Sequence, residues 1–472
     1  MPSLAAADKK YVWHPFTQHQ EWDSRDPNVI RSGKGVWLQD TRGHRFIDGV
    51  SSLWVNVWGH RKKELDRALI RQMGKMAHST FLGLTHEPAI RLAQKLTEIA
   101  PRGLTRVFYS DNGSTAVEVA VKMAYQYWQL AGKPKKTKFV SMKEGYHGDT
   151  LGSVSVGGID LFHSRFQKLL FKGYAVVPPS PPTPSPLNME RGNRNIKSLL
   201  HNLGRRVRDE SGIDGILRRH RHEVAAVIME PLVQGASGML LMPPGYLSHI
   251  AHLCKKYNVL LIVDEVATGF GRTGRMFACE HEGVTPDFLC VAKSITGGYL
   301  PLAATLAKER IYKAFLGRYD EFKTFFHGHT YTANPLACAV ALENLALYEK
   351  KNLLHNVRQR ALQLANGLEP LKGHPNVKEI RQLGLMCGIE LSQADGKPFP
   401  PQKRMGLKVC DATFKRGVWL RPLGDVVVLM PPLVISEEEM AFLIEAVMAA
   451  VEVTTGSPKQ RGFLNIGNPR RQ

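Results

Sequence analysis

Residues 259–293 read VLLIVDEVATGFGRTGRMFACEHEGVTPDFLCVAK. The opening run, Val259 to Val263, is apolar, partly β-branched and too short for a buried helix. It runs into Asp264 and Glu265, so it reads as an interior strand of a parallel sheet with charge at its carboxyl end. Open α/β sheets keep their ligand sites at that end. A glycine-rich loop with two arginines, Gly269 to Arg275, follows, and a second apolar run, Phe288 to Ala292, delivers Lys293. A carboxylate and a lysine, each closing a buried strand, suit two arrangements. One is a buried ion pair. The other is a pyridoxal phosphate (PLP) site, with the lysine bonded to the cofactor's aldehyde and the aspartate keeping its ring nitrogen protonated.

The neighbouring residues favour the second. The run DEVATGFGRTG, then Pro286-Asp287, then Lys293, resembles the active-site segment of class III aminotransferases, whose fold is the fold-type I PLP-dependent transferase. The resemblance makes Lys293 and Asp264 the lysine and aspartate of that site. YSDNGSTAVEVAVKMA (109–124) places Asn112-Gly113-Ser114 between a strand and a helix, where backbone amides at a helix N-terminus can hold phosphate. By itself such a turn needs only a cap; the family pattern assigns Gly113 and Ser114 to the PLP phosphate. Tyr146 opens a Tyr-His-Gly motif that in this family stacks an aromatic on the cofactor ring, and Glu230 closes a further strand on the cofactor's hydroxyl side.

His327-Gly328-His329-Thr330 is a poor metal site, having two histidines two apart and no carboxylate partner. The resemblance instead implies that Gly328 and Thr330 reach across a homodimer interface to the partner's cofactor and substrate, and that no metal is involved. His329 stands where many relatives have proline.

Further segments resemble the branch of the family that aminates 8-amino-7-oxononanoate in biotin synthesis. They are Trp13 to Thr17, Asp48 to Trp54, Tyr146 to Thr150, Val233 to Ala236 and Arg421 to Gly424. That narrower resemblance implies that Arg421 forks around the substrate carboxylate. It places Trp54 and Tyr146 along the aliphatic chain, with Phe16, Asp149 and Arg272 also at the substrate. S-adenosyl-L-methionine is the expected amino donor. L-lysine is the alternative, because Phe16 replaces a tyrosine and Leu53-Trp54 a tryptophan pair found in many users of S-adenosylmethionine. The competing readings are another class III ω-aminotransferase and a non-enzymatic, nucleic-acid-binding relative.

The 472 residues carry a formal charge of +21, with basic residues concentrated between Arg191 and His222. No nucleic-acid motif or aromatic interleaving accompanies them, so a solvated basic face is expected rather than nucleic acid binding. No apolar run of membrane-spanning length occurs, and the first residues hold no apolar signal core. Six scattered cysteines read as reduced packing residues in a cytoplasmic protein.

Apolar runs near 106–110, 139–142 and 224–229 alternate with helical periodicity at 116–130. The expected architecture is α/β, with a mainly parallel, doubly wound large domain (76–345). A smaller α+β domain is expected from both chain ends (1–75 and 346–455), closing in a helix capped by Ser436 and Glu439. The proline-rich and basic segment 176–222 is expected as a loop-rich insertion, and 456–472 as a disordered tail.

Overall fold

The computed structural model describes residues 3–179 and 212–456. Its centre is a seven-stranded sheet in the order 104–110, 303–308, 288–291, 260–264, 224–229, 138–142, 174–176. Neighbours are parallel throughout, except that Ala303–Lys308 runs against both Phe288–Val291 and Leu104–Ser110. The strands anticipated from their apolar runs lie within two residues of their expected ends. Leu260–Asp264 and Val224–Met229 are buried at every position, as a sheet covered on both faces requires.

Helix Gly113–Leu130 covers one face of the sheet. Its buried residues Ala116, Val117, Ala120, Val121 and Ala124 recur at helical spacing and pack with Ile228, Ile262 and Phe288. Helix Pro335–Lys350 begins at Asn334, whose side chain accepts from the amides of Leu336 and Ala337, with proline at the first helical position.

Both chain ends enter one sheet. Strands Ile30–Lys34, Trp37–Asp40 and Arg45–Asp48 form an antiparallel set, and Val418–Trp419 adds in parallel with Ile47 and Asp48. A second four-stranded sheet orders 377–383, 386–391, 426–429 and 421–423. The last helix, Glu437–Thr455, opens with the expected capping box, Ser436 and Glu439 each satisfying the other's amide.

Of the expected insertion, 180–211 lies outside the described residues, and so does the tail from 457. The rest of that segment departs from a loop reading. Tyr174–Val176 is a strand of the central sheet, and Ile213–His220 is a helix. Ile213, Ile216 and Leu217 are buried beneath its basic residues, while Arg218, Arg219 and His220 occupy the last turn, where cations suit the helix dipole. Among the described residues no helix is long and apolar enough to cross a membrane.

Candidate active site

The parallel strands end together, so their carboxyl-terminal residues converge. Asp264 closes its strand, Glu230 follows Met229, Lys293 follows Val291-Ala292, and the turn carrying Tyr146 and His147 follows Met142. The turn Asn112-Gly113-Ser114 follows Ser110 at the same edge.

Asp264 is buried and both its oxygens are engaged. Oδ1 accepts from the Val266 amide at 3.0 Å, and Oδ2 accepts from His147 Nδ1 at 2.7 Å. Burial acts to lower the His147 pKa, but the bond and charge of Asp264, aided by Glu230, outweigh it and raise the value above 6.5. His147 Nε2 is buried without a partner among the described residues. Glu230 accepts from the amides of Tyr146 and Gly235, both at 3.1 Å. Burial, with the nearby Asp264 charge, pushes its carboxyl up to about 7 against the pull of His147 and those amides.

Lys293 sits in a left-handed backbone conformation (φ 47°), and its Nζ lies 5.1 Å from the centre of the Trp54 ring. It makes no hydrogen bond or ion pair among the described residues, so an ion pair with Asp264, one of the two arrangements the sequence allowed, does not form. Burial, assisted by Arg272, pulls the ammonium below its ordinary 10.5, while Asp264 and Glu230 resist. An amine so placed is available as a nucleophile and as a base.

The 112–114 turn was built for close approach. A Cβ on Gly113 would lie 2.5 Å from Val266 Cγ1, and one on Gly148 would lie 2.3 Å from Ser114 Oγ. Ser114 Oγ meets Thr150 Oγ1 at 2.8 Å and accepts from the Thr150 amide at 3.0 Å. Asn112 caps the helix through the Thr115 amide at 3.0 Å. The donor set fits PLP: helix amides and hydroxyls for phosphate, a partnerless amine for an aldehyde, and a buried carboxylate for a ring nitrogen.

Among the expected substrate residues, Tyr146 donates to Asp149 Oδ2 at 2.7 Å. Burial and this bond push the phenol upward, and the charge of Arg421 pulls it back. Arg421 is half-buried, on an edge strand, and its guanidinium has no hydrogen bond or ion pair among the described residues. Phe16 packs edge-on against Phe162, which packs edge-on against Tyr146. Phe162 and His163, whose ring stacks on Tyr146 at 6.4 Å, were not singled out by the sequence.

Arg272 is fully buried, and protein atoms already hold its terminal nitrogens. Nη1 donates to Pro431 O, and Nη2 donates to Ser51 Oγ and Asn56 O. In the single chain it is an anchor for the loop below Trp54. Ser51, Ser52 and Trp54 in that loop have φ of 53°, 61° and 65°. Such conformations cost roughly 1–3 kcal/mol each for non-glycine residues and cluster at functional sites.

Gly328 and Thr330 are exposed, so the single chain does not bring them into the cluster. The turn between them is tied back by His329 Nδ1 to Asp111 Oδ2 at 2.7 Å, next to the 112–114 turn. His147, Gly148 and Thr150 lay inside the Tyr-His-Gly-Asp-Thr motif, but only the fold shows what each touches.

Residues 20–451 match the family model for class-III aminotransferases. The chain is 47% identical over 460 residues to the adenosylmethionine-8-amino-7-oxononanoate aminotransferase of Geobacter sulfurreducens, covering 95% of this chain and 97% of that one. The crystal structure of the enzyme of that name from Methanocaldococcus jannaschii superposes with a TM-score of 0.87 at 42% identity, covering 95% of this chain and 98% of the other. An omega transaminase from Pseudomonas jessenii, solved in complex with PMP, gives a TM-score of 0.86 at 31% identity, with 96% and 99% covered.

Proposed function

The chain belongs to the class III aminotransferases and is a PLP-dependent transaminase; on that premise we propose that it converts 8-amino-7-oxononanoate to 7,8-diaminononanoate in biotin synthesis, with S-adenosyl-L-methionine as amino donor. Relatives at 43–49% identity that carry the name of that reaction support the assignment. The observation that carries the substrate reading is Arg421, a half-buried guanidinium whose charge reaches Tyr146 and which has no hydrogen bond or ion pair among the described residues. A planar fork in that state suits a carboxylate arriving with the substrate.

Bound PLP supplies an aldehyde that takes up the amino group and a ring that withdraws electrons from the carbon losing its proton. Around it, Gly113 and Ser114 would hold the phosphate and Tyr146 would support the ring. Asp264, backed by His147, keeps the ring nitrogen protonated, and Glu230 faces the ring hydroxyl. Lys293 Nζ anchors the aldehyde, then moves the proton from the donor carbon and later returns one to the acceptor carbon. Trp54 and Tyr146 line the aliphatic chain, Phe16 closes its outer end through Phe162, and Asp149 fixes the Tyr146 hydroxyl. Arg272 serves from below by holding the loop that carries Trp54.

The active unit in this reading is a homodimer, with Gly328 and Thr330 of each subunit facing the partner's site. Exposed aromatic residues support an interface: Trp13, Tyr319 and Tyr331 are 90%, 93% and 62% exposed in the single chain.

Purified holoenzyme given 8-amino-7-oxononanoate and S-adenosyl-L-methionine is expected to form 7,8-diaminononanoate, read by mass. Product formed with L-lysine and not with S-adenosyl-L-methionine would transfer the donor assignment. No diamine with either donor would sink the reaction itself. Arg421→Ala is expected to raise KM for the keto acid while leaving the donor half-reaction nearly intact. Losing the charged partner of a desolvated carboxylate costs ~2–5 kcal/mol. Equal damage to both half-reactions would mean that Arg421 serves the fold or both substrates.

A further inference from the structure

We propose that Asp48 is a positioning residue that holds the Ser51–Trp54 turn in the one conformation that lays the Trp54 indole beside Lys293. The inference rests on the active-site reading of Lys293 and extends it to a residue that the sequence reading gives no role of its own.

Asp48 closes the strand Arg45–Asp48 and has no exposed surface. Its oxygens are spent on the turn that follows. Oδ1 accepts from the Ser52 amide at 2.6 Å, while Oδ2 accepts from Ser52 Oγ at 2.8 Å and from His60 Nε2 at 3.1 Å. Ser52, the residue so held, carries a backbone (φ 61°, ψ −77°) that a serine does not adopt unaided. Ser51, beside it, is fixed independently: its Oγ donates to Met430 O at 2.6 Å and accepts from Arg272 Nη2 at 2.9 Å.

The polar groups of Ser51 and Ser52 are therefore held by Asp48, Met430 and Arg272, and Trp54, itself at φ 65°, follows them in the turn. Two close neighbours define the slot of the indole. Lys293 Nζ is 5.1 Å from its centre, and a Cβ added to Gly235 would lie 3.2 Å from its Cζ3. A turn relaxed to ordinary dihedral angles would not deliver the ring into that slot. A merely structural Asp48 would cap the strand end without acting through Trp54, and the two roles separate experimentally.

Asp48→Ala, Trp54→Ala and the double variant are compared as holoenzymes. Asp48→Ala is expected to keep its PLP content and raise KM for the keto acid roughly tenfold, as Trp54→Ala does, with a smaller effect on kcat. The double variant is expected to be no worse than Trp54→Ala, because coupled residues are non-additive. A second readout needs no turnover. Borohydride fixes the pyridoxyl group on Lys293, and its emission is then excited through tryptophan; Asp48→Ala is expected to lose the share of that emission that Trp54→Ala loses. Asp48→Asn, which keeps one acceptor oxygen, is expected to restore most of both signals.

Multiplicative effects of the two single changes, or unchanged emission in Asp48→Ala, would overturn the proposal. Should Asp48→Ala fail to fold, Ser52→Ala removes only the hydroxyl bond to Oδ2 and is expected to shift KM and emission in the same direction; no shift in either would count against the idea. If Trp54→Ala leaves KM unchanged while Asp48→Ala still loses emission, positioning by Asp48 stands and the substrate-lining role of Trp54 falls.

Discussion

Lys293→Ala is expected to abolish transamination, with a loss of at least ~10⁴-fold, since general acid–base catalysis alone contributes about 10²–10⁴ and this side chain also anchors the cofactor. The expectation follows from its setting. The amine follows a buried strand, has no hydrogen bond or ion pair among the described residues, and is drawn below its usual pKa by burial. Among the described residues no other lysine stands at the carboxyl ends of the parallel strands in that state. Wild-type protein is expected to be yellow, and borohydride is expected to fix a pyridoxyl mass on the peptide containing Lys293. The variant is expected to hold its fold by circular dichroism and to take up no label. A label on a different lysine, or residual turnover within tenfold of wild type, would remove Lys293 from the site.

Asp264→Asn is expected to leave PLP bound but to cut kcat by roughly 10²–10³. Losing one preorganised electrostatic partner of the reacting centre costs about 2.7–4 kcal/mol of transition-state stabilisation, and each 1.36 kcal/mol is a factor of ten in rate. The same change bears on stability. Asp264 raises the His147 pKa above 6.5, so the pair's contribution is complete below about 6.5 and is lost as pH rises through the raised value. The thermal stability deficit of Asp264→Asn is thus expected to be greatest near pH 6 and to narrow in alkaline solution. A deficit that widens with pH would show that His147 is neutral in the native pair, and near wild-type turnover would show that the carboxylate does not tune the ring.

Much of the large domain was legible because its strands are apolar runs with few alternatives. Val224–Met229, Leu260–Asp264 and Phe288–Val291 announce themselves, and the residues after them mark the site. Ala303–Lys308 was not legible: its small residues have little β preference, and the strand forms because two neighbours flank it. Val377–Leu383 was hidden for another reason, since Val377, Ile380 and Leu383 are spaced three apart and mimic a helix. Arg421–Leu423 contains Pro422, which is tolerated because the strand lies at an edge. Within the site, the motif residues were readable but their partners were not. Nothing local in the sequence says that His147 meets a carboxylate 117 positions away, or that Arg272 spends itself on backbone oxygens.

The sheet shared by the two chain ends has a consequence for the order of events on the ribosome. Ser51 is tied to Met430 across 379 positions, Trp37 to Glu439 across 402, and Ile47 pairs with Val418. The nascent chain therefore emits the segment bearing Trp54 near the beginning of translation and cannot lock it until nearly the last tenth has emerged. Lys293, Asp264 and the 112–114 turn belong to contacts completed well before that. Contacts of such long sequence separation form late, after their loop-closure entropy has been overcome. The part of the cluster that holds Lys293, Asp264 and the 112–114 turn can thus mature on a partial chain, whereas the Trp54 turn is completed in the closing seconds of synthesis.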